Sequence, residues 1–322
     1  KLAPESPPYL AEHQVQGSVV VPGTMYVELI LDAIAGVCGG KGVAVPAIDD
    51  VEFARALFLP AGSSQTIQAI VSPNGTGGRG IHVYSRPVEG DDPWTLRATA
   101  SLGGTVTTEA GVGGLDEIEQ ARARCTTKLD PAEFYPYMSR LGLVFLGAFQ
   151  GIRELSRRHG EAVALIEAPE SIRGDLDRYH VHPALLDAMA QVFAVAGPGH
   201  SIEDVKGLWL PVGLGRLRAR RSLPARFWTH ATLNADAMAS GQTIAGRLRA
   251  YDEDGNLILQ VDDWRVQLID GEARPDATEP VADWLYQVEW QPAAHLECAG
   301  DAVPATVAPA LDMGPRSWLI LD

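Results

Sequence analysis

The hydrophobic pattern near the start of the chain changes from extended to helical. Residues 14–21 are rich in valine, which predicts an extended segment. Pro22 and Gly23 end it, and from Thr24, which suits a helix N-cap, apolar residues recur at helical spacing. The pattern therefore predicts one long, buried helix. Alternating segments then predict an antiparallel sheet, with strands at 51–60, 64–72, 80–87 and 94–104.

The second half of the chain repeats this plan. A helix is predicted at 130–141 and a strand at 161–168, and His182-Pro183 starts a second apolar helix, ALLDAMAQVFAVAG. More strand-like segments follow it. A long helix wrapped by an antiparallel sheet is the hotdog arrangement, so the expected fold class is α+β, a double hotdog of two tandem units.

Composition shifts divide the chain into four parts. We expect an N-terminal hotdog at 1–105, a linker with a Gly- and Thr-rich start at 106–128 and a C-terminal hotdog at 129–270. From residue 271 the chain is rich in proline and acidic residues, which indicates a further linker. After this linker, DWLYQVEWQP begins a new segment of different composition, so 271–322 forms the fourth part.

Charge and composition narrow the class of partners. The 322 residues carry a formal net charge of −15, which argues against nucleic acid and against an anionic membrane surface. No apolar run reaches the length of about 18 residues that a membrane span needs, and the N-terminal stretch lacks a signal-peptide core. The three cysteines and the histidines show no ligand or disulfide spacing, so we expect no metal site and a reducing, cytoplasmic setting.

Two motifs carry the candidate chemistry, one beside each predicted helix. The first, HQVQGSVVVPG, places His13, Gly17 and Pro22 in the spacing HxxxGxxxxP. The second, HPALLDAMAQ, is the more specific. It puts Asp187 on the apolar face of a helix, where a charged side chain needs a partner or a function, and Gln191 one turn later on the same face.

Together these motifs resemble those of the dehydratase domain of modular type I polyketide synthases. AIDDVEFARALFLP and LWLPVGLGRLRARRSLPARFWTHA resemble later parts of that domain, and DWLYQVEWQP with WLILD resembles the start of a ketoreductase region. The resemblance implies a hydro-lyase that dehydrates a 3-hydroxyacyl thioester on an acyl carrier protein to the α,β-unsaturated thioester. It also implies a homodimer, a neighbouring ketoreductase, and no cofactor beyond the carrier's phosphopantetheine.

The resemblance assigns the catalytic pair to His13 and Asp187, and the chemistry requires such a pair. A neutral imidazole can take the α-proton of the thioester, while a protonated carboxylic acid can donate to the departing hydroxyl. The apolar neighbours of Asp187 favour its protonated form, whereas its place near a helix N-terminus favours the ionised form, and we expect desolvation to prevail. Gln191 is expected to hydrogen-bond Asp187 and fix its rotamer.

Five further residues are expected to support the site. Gly17 allows a tight backbone approach, Pro22 shapes the path into the first helix, and the Gly23 amide can hydrogen-bond the thioester carbonyl. His182 and Pro183 set the turn into the second helix.

One position departs from the family pattern. Many members carry Tyr-Gly-Pro before the AFQG-like run, but here Phe145, Leu146 and Gly147 stand there, so the tyrosine hydroxyl is absent. This departure bears on rate and substrate scope rather than on the catalytic pair. Two alternatives stay open: the same site could also cyclise the product or shift its double bond, or the chain could be a catalytically silent spacer in a larger synthase.

An arginine-rich stretch offers a second candidate surface. Five arginines lie between Arg216 and Arg226, and they could dock an acidic carrier protein. Alternate arginines on a strand more often form a solvated face.

Overall fold

The computed structural model describes residues 1–38, 47–73, 78–90, 92–103, 115–197, 202–234 and 243–269. All of these residues belong to one unit, Lys1–Ala277. The fourth predicted part, 271–322, lies outside the described residues, and the three predicted boundaries between the parts stay predictions.

Two apolar helices lie where the sequence predicts them. They are α1 (Gly23–Cys38) and α5 (Pro183–Ala194). Because the Met25 amide already bonds to the Pro22 carbonyl at 2.9 Å, α1 begins at Gly23, and Thr24 lies in its first turn rather than at the N-cap. The other described helices are α2 (Leu115–Arg124), α3 (Pro131–Arg140) and α4 (Glu170–Arg173). None of the helices in the described part is long and apolar enough to cross a membrane.

One of these helices falls in the predicted linker at 106–128. Helix α2 packs against strands of the second half, and it buries Ile118 and Ala121. The start of that linker, 106–114, lies outside the described residues.

The described strands form two antiparallel sheets. In chain order they are β1 (His13–Val15), β2 (Ser18–Val19), β3 (Ile48–Phe53), β4 (Gln65–Pro73), β5 (Arg79–Pro87), β6 (Thr95–Leu102), β7 (Thr127–Leu129), β8 (Leu143–Phe145), β9 (Ile152–Arg158), β10 (Glu161–Glu167), β11 (Leu208–Ala219), β12 (Arg226–Leu233), β13 (Thr243–Tyr251) and β14 (Leu257–Ile269). The large sheet has the order β4-β5-β6-β3-β11-β14-β13-β12-β10-β9-β7. Strands β3 and β11 pair, and so join the four strands of the first half to the seven of the second.

Each half wraps its strands around one helix. Helix α1 packs on β4, β5 and β6, helix α5 packs on β10, β12 and β13, and the two helices contact each other. Their side chains are the centre of one core, and Ile30 and Leu186 are fully buried in it. Truncating such a core leucine or isoleucine to alanine costs about 2–5 kcal/mol of stability. This is the α+β double hotdog that the sequence predicts.

The small sheet contains strands from both halves of the chain. Strand β1 lies between β2 and β8, so His13 of the first half pairs with Phe145 of the second. The extended segment predicted at 14–21 is interrupted, because Gln16 and Gly17 both have positive φ, 48° and 79°, and turn the chain from β1 into β2. Gly17 therefore lies in this turn, where its positive φ suits a glycine.

Candidate active site

The His13 ring is held in one orientation at the start of β1. Its Nδ1 lies 2.8 Å from the carbonyl oxygen of Val20. Because a carbonyl oxygen only accepts, Nδ1 carries a proton, and in the neutral ring Nε2 has a free lone pair. The rings of Phe145 and Phe149 lie against the imidazole, with centroids 5.7 and 5.1 Å away. His13 therefore presents a basic Nε2 from an apolar wall.

Asp187 faces His13 from the second turn of α5. Its Oδ1 lies 4.0 Å from His13 Nε2, and its Oδ2 accepts a hydrogen bond from Gln191 Nε2 at 2.9 Å. Burial raises the pKa of the Asp187 carboxyl, against the smaller lowering effects of His13 and of the Gln191 hydrogen bond. Desolvation is the largest of these causes, and it acts in the direction that the apolar neighbours of Asp187 predict. Asp187 is thus placed to hold a proton.

Gln191 does more than the sequence predicts. The same Nε2 that donates to Asp187 also donates to the main-chain oxygen of Phe149 at 3.0 Å. Since Phe149 also packs on His13, one amide group links the carboxyl of α5 to the wall beside the imidazole.

The two side chains open onto one cavity of about 390 Å³. The gap of 4.0 Å between them is too long for a direct hydrogen bond, so both are available to a molecule lying in the cavity. Most of the wall is apolar and includes Val15, Met138, Leu143, Phe193 and Trp264. A reacting group in this place would be largely screened from water.

The first motif supplies a second part of the cavity wall. Pro22 and Gly23 both line the cavity, and Gly23 is the first residue of α1. A Cβ atom at Gly23 would lie 2.9 Å from the ring of Phe53, which explains the glycine. The first amides of a helix have no partner within the helix, so the Gly23 N–H is available at the cavity wall.

His182 and Pro183 start α5 without reaching the cavity wall. Pro183 is the first helical residue, and His182 Nδ1 accepts a hydrogen bond from the Ala184 amide at 3.2 Å, as an N-cap does. The imidazole packs between Tyr9 and Tyr179, with centroids 5.0 and 4.5 Å away. Burial lowers the pKa of His182 to about 4, so the cap is a neutral ring.

Glu12 is a residue that the sequence analysis missed. Its side chain accepts a hydrogen bond from the Ala148 amide at 2.6 Å, and its main-chain oxygen accepts one from Leu146 at 2.9 Å. Gly147, at φ +39°, leaves no room for a Cβ atom, which would lie 2.5 Å from the Glu12 carboxylate. Glu12 therefore fastens the loop that follows Phe145 to the start of the strand that carries His13. Its position next to a candidate base was the only signal in the sequence.

Glu28 is a second missed residue, and it joins the two halves of the fold. It lies on α1, is buried, and accepts hydrogen bonds from the amides of His180 at 2.9 Å and Val181 at 2.8 Å. Those amides directly precede α5. A buried carboxylate that accepts from both of these amides sets the position of α5 relative to α1.

The arginine-rich stretch is largely neutralised by acidic neighbours. Arg216 pairs with Asp49, and Arg221 and Arg226 pair with Asp252 and Glu253. In the described part of the chain, no group of three or more His, Cys, Asp or Glu residues is placed to hold a metal ion.

Comparisons with known proteins agree with this architecture. Residues 1–86 match the family model described as polyketide synthase dehydratase domain, and residues 116–276 match the one described as polyketide synthase dehydratase N-terminal domain. Polyketide synthase GfsE of Streptomyces halstedii is 29% identical over 100% of this chain, and spectinabilin polyketide synthase system protein NorA of Streptomyces orinoci is 32% identical over 91% of it. The chain spans only 8% and 14% of the length of these two relatives.

Solved structures show the same fold. The dehydratase domain from the CurK module of curacin polyketide synthase is similar with a TM-score of 0.72 and 28% identity, over 84% of this chain and 91% of that one. Two inactive mutants of the CurK dehydratase are also similar. One has a histidine replaced by phenylalanine, with a TM-score of 0.73 and 28% identity over 84% of this chain and 91% of that one. The other has an aspartate replaced by asparagine, with a TM-score of 0.72 and 27% identity over 84% of this chain and 92% of that one.

Proposed function

The chain belongs to the polyketide synthase dehydratase family, and from that premise we propose that it dehydrates a 3-hydroxyacyl thioester carried on an acyl carrier protein. The observation that supports this most is the pair His13 and Asp187, 4.0 Å apart on the wall of an apolar cavity. The inactive CurK mutants, one lacking a histidine and one an aspartate, support the choice of these two residue types.

In this proposal His13 is the base. The Val20 carbonyl holds the Nδ1 proton, so Nε2 takes the proton from Cα of the thioester. The electrons of the broken C–H bond form the Cα=Cβ double bond. The fixed ring needs little reorganisation during this step, because two phenylalanine rings already define its position.

Asp187 is the acid. The Cβ–O bond breaks as the carboxyl donates its proton to the departing oxygen, and water forms. The raised pKa of Asp187 supplies this proton at a pH where an ordinary aspartate has lost it. After the step His13 is protonated and Asp187 ionised, and transfer of one proton from His13 to Asp187 restores both groups without a cofactor.

The remaining parts of the site position the substrate. The Gly23 amide at the start of α1 would donate to the thioester oxygen as negative charge develops there. The substrate would arrive on the phosphopantetheine arm of a carrier protein. A ketoreductase region following this chain, and pairing of two copies, belong to the same proposal.

The test is intact-protein mass spectrometry of a carrier protein loaded with a 3-hydroxyacyl group. Incubation with the native chain should lower the mass by one water, whereas His13→Ala and Asp187→Asn should leave the mass unchanged. No loss of water with either hydroxyl configuration would favour the silent spacer instead.

A further inference from the structure

One indole N–H on the cavity wall has no hydrogen-bond acceptor. Trp264 lies on β14, is 1% exposed and lines the cavity. Its Nε1 has no partner among the described residues, although a buried indole N–H usually has one. Trp209 lines the same cavity and shows the usual case, because its Nε1 donates to the main-chain oxygen of Lys206 at 2.8 Å. The cavity wall at Trp264 therefore holds an unpaired donor.

The Tyr26 hydroxyl is a second unpaired group on the cavity wall. Tyr26 lies on α1, is 2% exposed and lines the cavity. Within the described part of the chain no group hydrogen-bonds to its hydroxyl, whereas the hydroxyl of Tyr135 accepts a bond from the Ile152 amide at 3.0 Å. Burial raises the pKa of Tyr26, so the hydroxyl keeps its proton and can donate it to a hydrogen bond.

Both donors belong to one row of aromatic rings. The Phe53 ring contacts the other two rings, with its centroid 6.3 Å from that of Tyr26 and 6.4 Å from that of Trp264. The same Phe53 ring occupies the space where Gly23 has no side chain. The row therefore begins beside the amide that we assign to the thioester oxygen, and it continues along the cavity wall.

The missing partner is an oxygen that accepts hydrogen bonds. An indole N–H only donates, and a phenol hydroxyl that has no acceptor is free to donate as well. In the proposed reaction the thioester oxygen is assigned to Gly23 and the departing hydroxyl to Asp187. The oxygen that would pair with these two donors is therefore a different one.

The burial of the two donors favours an oxygen of the acyl chain. Arg55 and Lys206 line the cavity and are exposed to solvent, so they mark where the cavity opens. The phosphopantetheine arm comes from a carrier protein outside the cavity and passes such an opening. Tyr26 and Trp264 are buried, so their partner belongs to the part of the substrate that lies inside, which is the acyl chain.

We propose that Tyr26 and Trp264 are specificity-determining residues that donate hydrogen bonds to an oxygen of the acyl chain beyond Cβ. This inference rests on the proposed function, because that function brings a 3-hydroxyacyl chain into the cavity. A hydrocarbon chain would leave both donors unpaired, whereas a chain with one more carbonyl, hydroxyl or ether oxygen would satisfy at least one of them. The protein should therefore favour oxygenated over hydrocarbon acyl groups of the same length.

The test compares a carrier protein loaded with a 3-hydroxyoctanoyl group with analogues in which an ether oxygen replaces the methylene at C5, C6 or C7. The replacement keeps the length of the chain and adds only an acceptor. The native protein should dehydrate at least one analogue with a kcat/KM about three- to tenfold above that of the hydrocarbon, as expected for one hydrogen bond. Without a donor the ether would be the poorer substrate, because its burial costs hydration. No advantage for any analogue would overturn the proposal.

Two variants remove the donors and keep an aromatic ring. Tyr26→Phe and Trp264→Phe should each lower the advantage of the preferred analogue at least about twofold. Tyr251→Phe is the matched control and should keep the advantage, because Tyr251 is buried on β13 and is not part of the cavity wall. An advantage unchanged in both variants would overturn the proposal. An equal loss for the analogues and the hydrocarbon would also overturn it, because the donors would then serve the arm.

Two measurements keep the result interpretable. Thermal unfolding is measured for each variant, and Tyr26→Phe, which removes a single oxygen atom, decides the matter if Trp264→Phe does not fold. If the native protein dehydrates none of the substrates, the proposed function fails, and titration calorimetry with the pantetheine thioesters of the same acyl groups tests the two donors by itself. Tighter binding of one ether chain than of the hydrocarbon, lost in Tyr26→Phe, supports the proposal, and equal binding of all the chains refutes it.

Discussion

Two buried carboxyl groups, Asp187 and Glu161, have opposite protonation behaviour in this fold. They are 7% and 4% exposed. Asp187 has one amide donor and a histidine 4.0 Å away, and burial raises its pKa. Burial would also raise the pKa of Glu161, but hydrogen bonds from Arg124, Arg158 and His230 outweigh it and lower the pKa to about 2.

The difference shows that burial disfavours the ionised form of a carboxyl, while its hydrogen-bonding and charged partners decide whether it is protonated or ionised. Glu161 is a permanent anion that ties α2 to the edge of β9, β10 and β12. Asp187 lies in an apolar cavity with too few donors to hold it ionised. One group stabilises the fold, and we expect the other to perform the chemistry.

The largest expected effect separates these roles at Asp187. Asp187→Asn removes the proton donor while keeping size and the contact with Gln191, so dehydration should fall about 10³-fold. The melting temperature should stay level or rise, since the substitution removes a buried ionisable group. Steady-state assays and thermal unfolding of the same preparation check both. A large loss of stability would place Asp187 among the structural groups.

Glu161→Gln should give the reverse result. It leaves two arginines without their shared anion, so we expect the free energy of unfolding to fall by about 1–3 kcal/mol. Dehydration by the protein that stays folded should be unchanged, because Glu161 does not line the cavity. Urea unfolding measures the free energy of unfolding. An activity loss in fully folded Glu161→Gln would contradict the comparison.

A smaller effect is expected at Gln191. Its hydrogen bond lowers the pKa of Asp187, so Gln191→Leu should raise that pKa further and move the basic limb of the pH–rate profile to higher pH. The rate at the optimum should fall about tenfold, since the carboxyl loses the contact that orients it. The pH dependence of kcat/KM tests this, and a shift to lower pH would argue against an acid role for Asp187.

The smallest effect at neutral pH is expected at His182. Burial lowers its pKa from 6.5 to about 4, so the unfolded chain binds this proton more readily, and stability should fall as pH drops from 6.5 towards 4. His182→Asn keeps an N-cap at a cost of up to about 1 kcal/mol and should weaken this acid sensitivity. Melting temperatures of both proteins between pH 7 and 4 provide the check, and parallel curves would exclude His182 as the cause.

The sequence was informative where the relevant residues are close along the chain. The spacing of Asp187 and Gln191 at i and i+4 predicts their hydrogen bond, which forms. The helix that contains them was also predicted, because its apolar period is strong. Helix α2 was not, since half of LDEIEQARAR is charged and, among its side chains whose burial is described, only Ile118 and Ala121 are buried.

The missed contacts depend on how the two halves meet. Glu12 and Ala148 are 136 residues apart, and Glu28 and Val181 are 153 apart. Their pairing follows from the register of β1 against β8 and from the contact between α1 and α5. No local pattern encodes those relations, so the bond from Ala148 to Glu12 could not be predicted from the motifs.

The most direct test of the account is the pKa of Asp187 itself. The chain would be labelled with ¹³C at aspartate side-chain carboxyls and titrated by NMR, with Asp187→Asn identifying the resonance. The account predicts that Asp187 titrates clearly above the ordinary value of 3.8. A pKa at or below that value would mean that the carboxyl is ionised in the folded protein, and Asp187 would then not be the acid.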